Sequence, residues 1–204
     1  MTFAAFTVRQ FLDALANSEP TPGGGTASAI TGAMGASLLI MVTSLAKSRT
    51  NAEAEKAALA SARAALDPLR DRLVRLADDD SNAFNEVMAA YRLARDSDEQ
   101  KAARTAAIEQ ALQGATTVPL DTLRVCASSI EMAAMVAANG NRSAASDVGV
   151  AIGLLEAAAA GAAANVTINL DGLKDDAFKW RVSAETSSLS ANVATRAADA
   201  RARL

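Results

Sequence analysis

Apolar residues recur three and four positions apart along nearly the whole of this chain. No stretch alternates apolar with polar residues in the two-residue period of a half-buried strand. Val8, Phe11, Leu12 and Leu15 mark one helical face, Leu59, Leu66, Leu69, Leu73 and Leu76 a second, and Phe84, Val87, Met88 and Tyr91 a third. Half the residues are apolar, yet only 3% are aromatic and much of the apolar share is alanine. Alanine loses no side-chain entropy in a helix, and a core of methyl groups reaches density only if backbones approach closely. The expectation is an all-α fold: an antiparallel bundle of long helices with short connections, forming one domain over residues 1–204. Alanine-rich faces left on the outside of such a bundle are expected to meet further copies, giving a homodimer through helix faces or a higher homo-oligomer.

Local signals divide the pattern. Thr7 caps the first short helix, and Asn17 to Gly25, with Pro20, Pro22 and three glycines, breaks it. A second helix is expected from Thr26 to about Lys47, with Gly32 and Gly35 offering a surface for close packing. Thr50 and Glu53 have capping-box spacing, and Pro68 predicts a kink or break in the helix that follows. Ser97 and Gln100 form another capping box, opening a helix predicted to stop at Gly114, with Pro119 starting the next and Asn139-Gly140 ending it. Two further helices, about Ser143 to Val166 and Leu173 to Arg203, complete the chain.

Composition removes several functions. The net charge is −3, and Lys and Arg are scattered with no basic stripe, which argues against a nucleic-acid partner. The stretch Ile30 to Ala46 is the most membrane-like, but Thr31, Ser37, Thr43 and Ser44 interrupt it, so a buried core helix and no membrane association are expected. One cysteine, Cys126, cannot close an internal disulfide, and the first residues lack the pattern of a signal peptide, so a cytoplasmic location is expected. With no histidine and a single cysteine, a metal site is not expected, and any proton carrier must be Asp, Glu, Lys, Tyr or Cys. Cys126, Trp180, Met132 and Met135 lie at apolar-face spacing and are read as packing residues.

Three polar clusters could carry chemistry. Glu19 to Thr26 joins stiff prolines to Gly23, Gly24 and Gly25, whose backbone can approach a ligand at a helix N-terminus; the alternative is a tight corner between helices. Asn139 to Asp147 gathers amides, hydroxyls, Arg142 and a carboxylate at one predicted helix start, which equally describes a C-cap followed by an N-cap. Asp78, Asp79 and Asp80 are either a solvated face or the source of a functional carboxylate near Phe84 and Tyr91.

Taken in order, Pro20-Thr-Pro-Gly-Gly-Gly-Thr26, Asp80-Ser-Asn-Ala-Phe84 with Met88-Ala-Ala-Tyr91, Val118-Pro-Leu120, Gly140-Asn141, Ser146-Asp147-Val-Gly-Val150 and Asn165-Val-Thr-Ile-Asn169 resemble the formiminotetrahydrofolate cyclodeaminase/methenyltetrahydrofolate cyclohydrolase family. Ser97 to Arg104 and Val118 to Asp121 are most similar to its free-standing bacterial cyclohydrolases. Family members commonly carry a Gly-Lys-Lys-Lys-Tyr segment where this chain reads Ala46-Lys47-Ser48-Arg49-Thr50.

The resemblance implies a helical dimer that takes reduced folate as substrate, uses no cofactor, and hydrolyses 5,10-methenyltetrahydrofolate to 10-formyltetrahydrofolate. A cyclodeaminase releasing ammonia from formiminotetrahydrofolate, and an inactive folate-binding bundle, are the alternatives. Within the resemblance, Asp147 is the candidate acid and base, with Asp80 its rival or its partner in a two-carboxylate site. The substrate-binding candidates are Pro22, Gly23, Gly24, Gly25, Lys47, Arg49, Tyr91, Asn141, Arg142, Ser146 and Asn169. Lys47, Arg49 and Arg142 would meet folate carboxylates, and Tyr91 or Phe84 would stack on the rings.

Overall fold

The computed structural model describes residues 2–204. After a short 3-10 turn at Phe3–Ala5 come six helices: α1 Val8–Ala16, α2 Gly24–Thr43, α3 Glu53–Tyr91, α4 Asp98–Asn139, α5 Ala145–Leu170 and α6 Asp176–Arg201, with a second 3-10 turn at Arg142–Ala144. Among the described residues there is no strand.

The cap at Thr7 and the capping box at Ser97 form as the sequence predicts, each hydroxyl accepting the amide of the residue three on, and at Thr7 the Gln10 side chain completes a box as well. Other expectations change. Neither Pro68 nor the pair Gly114 and Pro119 ends a helix: α3 runs 39 residues and α4 runs 42 without interruption. Thr50 and Glu53 make no capping box; Glu55 instead accepts from the Ser48 hydroxyl and from the amide and hydroxyl of Thr50. These bonds, the Ser48 hydroxyl first, pull the Glu55 carboxyl down to about 2.

Helix α2 packs against α5, α3 and α4, and α4 touches all the other long helices. Neighbours in sequence run antiparallel, so Thr26 of α2 reaches Asp80 of α3, while Gly35 of α2 lies against Leu155 of α5. Helices α4 and α6 therefore run parallel, joined by Arg124 to Glu185 near their middles. The core is filled by Leu39, Leu66, Leu73, Leu123, Ile130, Ile152 and Leu155, all fully buried, with buried alanines such as Ala36, Ala62, Ala133, Ala151 and Ala162 between them. A Cβ on Gly32 would lie 3.0 Å from the Cys126 sulfur, and one on Gly35 would lie 2.9 Å from Leu155, so both glycines hold α2 at backbone distance from its neighbours.

Cys126 is buried as expected, and burial pushes its thiol up to about 12. Trp180 is 76% exposed, so its apolar spacing does not place it in the core. By length and composition, α2 and the stretch Arg142–Leu170 are both apolar enough to cross a bilayer, although most of α2 is buried inside the bundle. Met34, Met41, Val150 and Ile168 remain exposed on these two helices.

Candidate functional site

The three consecutive aspartates meet three different fates, because successive residues of a helix point about 100° apart. Asp78 accepts the Phe3 amide at 2.8 Å, and Asp79 is paired with Arg72 at 3.0 Å. Asp80 turns inward, under the start of α2.

Gly25 makes room for it. A Cβ there would fall 2.1 Å from Asp80 Oδ1, so only glycine lets the carboxyl group sit against this turn. The first amides of α2 have no intrahelical acceptor, and the helix dipole favours an anion beside them. The Thr26 hydroxyl donates to Asp80 Oδ2 at 2.9 Å. Burial nonetheless dominates and pushes the Asp80 carboxyl above its ordinary value, against the Thr26 hydrogen bonds that pull it down. The carboxylate has no cationic partner among the described residues.

Asp80 opens onto a cleft of about 270 Å³ floored by Gly23, Gly24 and Gly25 and walled by Phe84, Val87, Leu112, Asn165 and Asn169. Pro20, Thr21 and Ala115 close its remaining sides, and the Thr21–Pro22 peptide bond is cis. Asn165 and Asn169 stand one turn apart near the end of α5 and are fixed through their side-chain amides, donated to the carbonyls of Gly161 and Ala115. Each Oδ1 acceptor is left for other use. A larger groove of about 650 Å³ runs between α3, α4 and Phe178 of α6, but its lining is mostly small or uncharged, and Glu86 is its sole ionisable residue among the described residues.

The structure brings together Asp80, the three glycines and Asn169 of the sequence-predicted residues, with Pro22 in the same loop. It does not bring Asp147 with them. Asp147 lies in the first turn of α5 and Asn165 eighteen residues further along, so about 27 Å of helix separates the two clusters. A two-carboxylate site made by Asp147 and Asp80 of one chain is thus ruled out by distance. Around Asp147, Asn141 accepts the Ser143 amide as a cap, while Arg142 and Ser146 are exposed.

Lys47 is also exposed at that end. The Arg49 guanidinium donates to the carbonyls of Ala137 and Arg203, and its amide donates to Asn139, so the residue fastens the α2–α3 connection to the end of α4 and to the chain terminus. Tyr91 ends α3 with its ring beneath Arg104, outside the cleft lining. Sequence reasoning missed Val87 and Leu112 as parts of the site, and reached Thr26 and Asn165 only as members of longer motifs. The spacing of Asn165 and Asn169 on one face, and of Asp80, Phe84 and Val87 on another, was the available signal.

Residues 7–188 match the family described as Formiminotransferase-cyclodeaminase. The chain is 46% identical to the methenyltetrahydrofolate cyclohydrolase of Methylorubrum extorquens over 84% of its own length and 83% of that protein. It is 35% identical to the formimidoyltransferase-cyclodeaminase of Sus scrofa over 94% of its length, which spans 35% of that longer protein. In three dimensions it matches the solved formiminotetrahydrofolate cyclodeaminase of Thermotoga maritima with a TM-score of 0.87 at 28% identity, covering 98% of this chain and 96% of that one.

Proposed function

This chain belongs to the formiminotransferase-cyclodeaminase family, and from that premise we propose that it hydrolyses 5,10-methenyltetrahydrofolate to 10-formyltetrahydrofolate, with Asp80 as acid and base. The observation that carries the assignment to Asp80 is a carboxyl group raised by burial, held against the Gly23–Gly25 turn and facing a cleft with no competing cation.

The chemistry suits such a group. The methenyl carbon bridges N5 and N10 as a delocalised cation, and a carboxylate short of solvent attracts it strongly. As water adds to that carbon, Asp80 takes one of its protons and becomes neutral. The acid then returns the proton to N5 as the carbon–N5 bond breaks and the carbonyl forms. The hydroxyl proton of the adduct leaves to solvent, so one proton is released overall. A raised carboxyl group passes between both forms at less cost than an ordinary aspartate.

A cleft of about 270 Å³ lies just below the usual range for whole-ligand pockets, so it takes the ring system and leaves the glutamate end of folate to run over its rim. Phe84 offers a ring face for stacking, and the free Oδ1 acceptors of Asn165 and Asn169 suit the pterin N–H groups. The route uses side chains alone and asks for no cofactor.

The active unit in this reading is a cytoplasmic homodimer joined through the exposed apolar residues of α2 and α5. If Asp147 acts on this cleft, a second chain must bring it. The likeness to the Thermotoga structure favours a second reading, in which the cleft closes a formimino group onto N10 and expels ammonia. The test is the absorbance decay of methenyltetrahydrofolate above its spontaneous rate. Protein-dependent decay supports the cyclohydrolase; no decay, with ammonia released from formiminotetrahydrofolate, replaces it with the cyclodeaminase.

A further inference from the structure

Thr26 has no contact with the cleft itself. It is fully buried, and its hydroxyl stands among three oxygens: Asp80 Oδ2 at 2.9 Å, Ser81 Oγ at 3.2 Å and the Ala77 carbonyl at 3.4 Å. A hydroxyl has one proton to donate and two lone pairs to accept with. Toward an anionic Asp80, the Thr26 proton points at Oδ2, and Ser81 donates to the Thr26 oxygen. Once Asp80 is protonated, the Thr26 proton has a second acceptor, the Ala77 carbonyl, within a rotation about one bond.

We propose that Thr26 is a positioning residue for proton transfer: its buried hydroxyl fixes the Asp80 carboxyl and swings between Asp80 and the Ala77 carbonyl as Asp80 alternates between anion and acid. The inference rests on the reading of Asp80 as the acid and base of the cleft. It explains why a polar side chain is kept fully buried at the third residue of α2, where an apolar one would pack without needing partners. Little else around Asp80 can do this work. Helix α2 has no charged residue, and the lining from α4 and α5 is Leu112, Ala115, Asn165 and Asn169. On α3, Asp78 is held by the Phe3 amide and Asp79 by Arg72, and Glu19 in the preceding loop is exposed.

The test is a titration of the aspartate carboxyl carbons by 13C NMR in the full-length protein, with Asp80 identified as the resonance missing from Asp80→Asn. In Thr26→Val, which keeps the shape and removes the hydroxyl, the Asp80 midpoint should move upward by about one pH unit, the size of one hydrogen bond to a charged group. Thr26→Ser, which keeps the hydroxyl, should titrate as wild type. The acid limb of kcat/KM should move with the NMR midpoint, whereas a purely structural Thr26 would lower the amplitude and leave the limb in place. An unmoved midpoint in Thr26→Val overturns the inference, and so does a displaced one in Thr26→Ser, which keeps the test decisive if the valine variant does not fold. Absence of turnover by wild type would instead remove the cyclohydrolase reading, and the NMR titration would still decide the role of Thr26.

Discussion

The two ends of α5 each gather asparagines and a carboxylate, and use them in opposite ways. Around Asp147, the side chains either face solvent or serve the junction between α4 and α5, with Asn141 capping the turn and Arg49 fastening neighbouring carbonyls. Around Asn165, Gly25 leaves room at the start of α2 so that a carboxyl group fits beneath it, and that group has no cation to neutralise it among the described residues. Polar density along a sequence therefore measures the needs of helix ends as much as it measures chemistry. A functional carboxylate is marked by a charge held where water serves it poorly.

The sharpest way to break the contrast is to neutralise each carboxylate in turn. Asp80→Asn should lower kcat/KM for methenyltetrahydrofolate by on the order of 10³-fold, the usual range for loss of an acid–base group, and Asp147→Asn by less than about tenfold. Equal losses would mean that a second chain lends its Asp147 to the cleft, and mixing the two variants would then restore part of the activity.

Glycines give the next test. Gly25→Ala should displace Asp80 and cost on the order of 10² in kcat, since misplacement of about 1 Å has that consequence. Gly114→Ala, with no atom within 4 Å of the added carbon, should leave activity unchanged and stabilise α4 by about 0.5–1 kcal/mol in thermal unfolding. Arg49→Ala should destabilise the fold by ~1–3 kcal/mol through two lost carbonyl bonds, while KM for folate stays within about twofold. A large rise in KM with the fold intact would return Arg49 to the substrate.

The smallest effect is on stability against pH. The folded state holds the Asp80 proton more tightly than the unfolded chain does, so ionising Asp80 costs stability as the pH climbs from the ordinary carboxylate value through the raised one. Asp80→Asn should therefore melt above wild type at neutral pH, and the difference should vanish once the pH falls below the ordinary carboxylate range. An unchanged or lower melting temperature at neutral pH would mean that burial of Asp80 carries no strain.

Much of the fold could be read from the sequence because its signals are local. Thr7 with Gln10 and Ser97 with Gln100 are complete within one turn, and both caps form. The expected breaks at Pro68, Gly114 and Pro119 failed because their cost is also local. An internal proline costs about 3 kcal/mol, whereas burying Leu66 and Leu73 on either side of Pro68, and Leu120 and Leu123 just after Pro119, returns about 1.5–3 kcal/mol each, from partners far along the chain. The site was hidden for the same reason. Nothing near Asp80 in the sequence reveals that Thr26, 54 residues away, donates to it, or that Gly25 is the residue making room. Tyr91 shares the helical spacing of Phe84 but lies where α3 ends, and only the fold separates a ring in the cleft from a ring beneath Arg104.

The unbroken course of α4 also bears on how such a chain can diverge. At 42 residues it is about 63 Å long, with the cleft wall at Leu112 and Ala115 on one stretch and the carbonyls held by Arg49 on another. Inserting or deleting one residue between them would rotate everything beyond by about 100° and detach one end or the other. Homologues should therefore differ along α4 by substitution and keep their gaps for the connections between helices, making this helix a fixed ruler against which their sequences can be aligned.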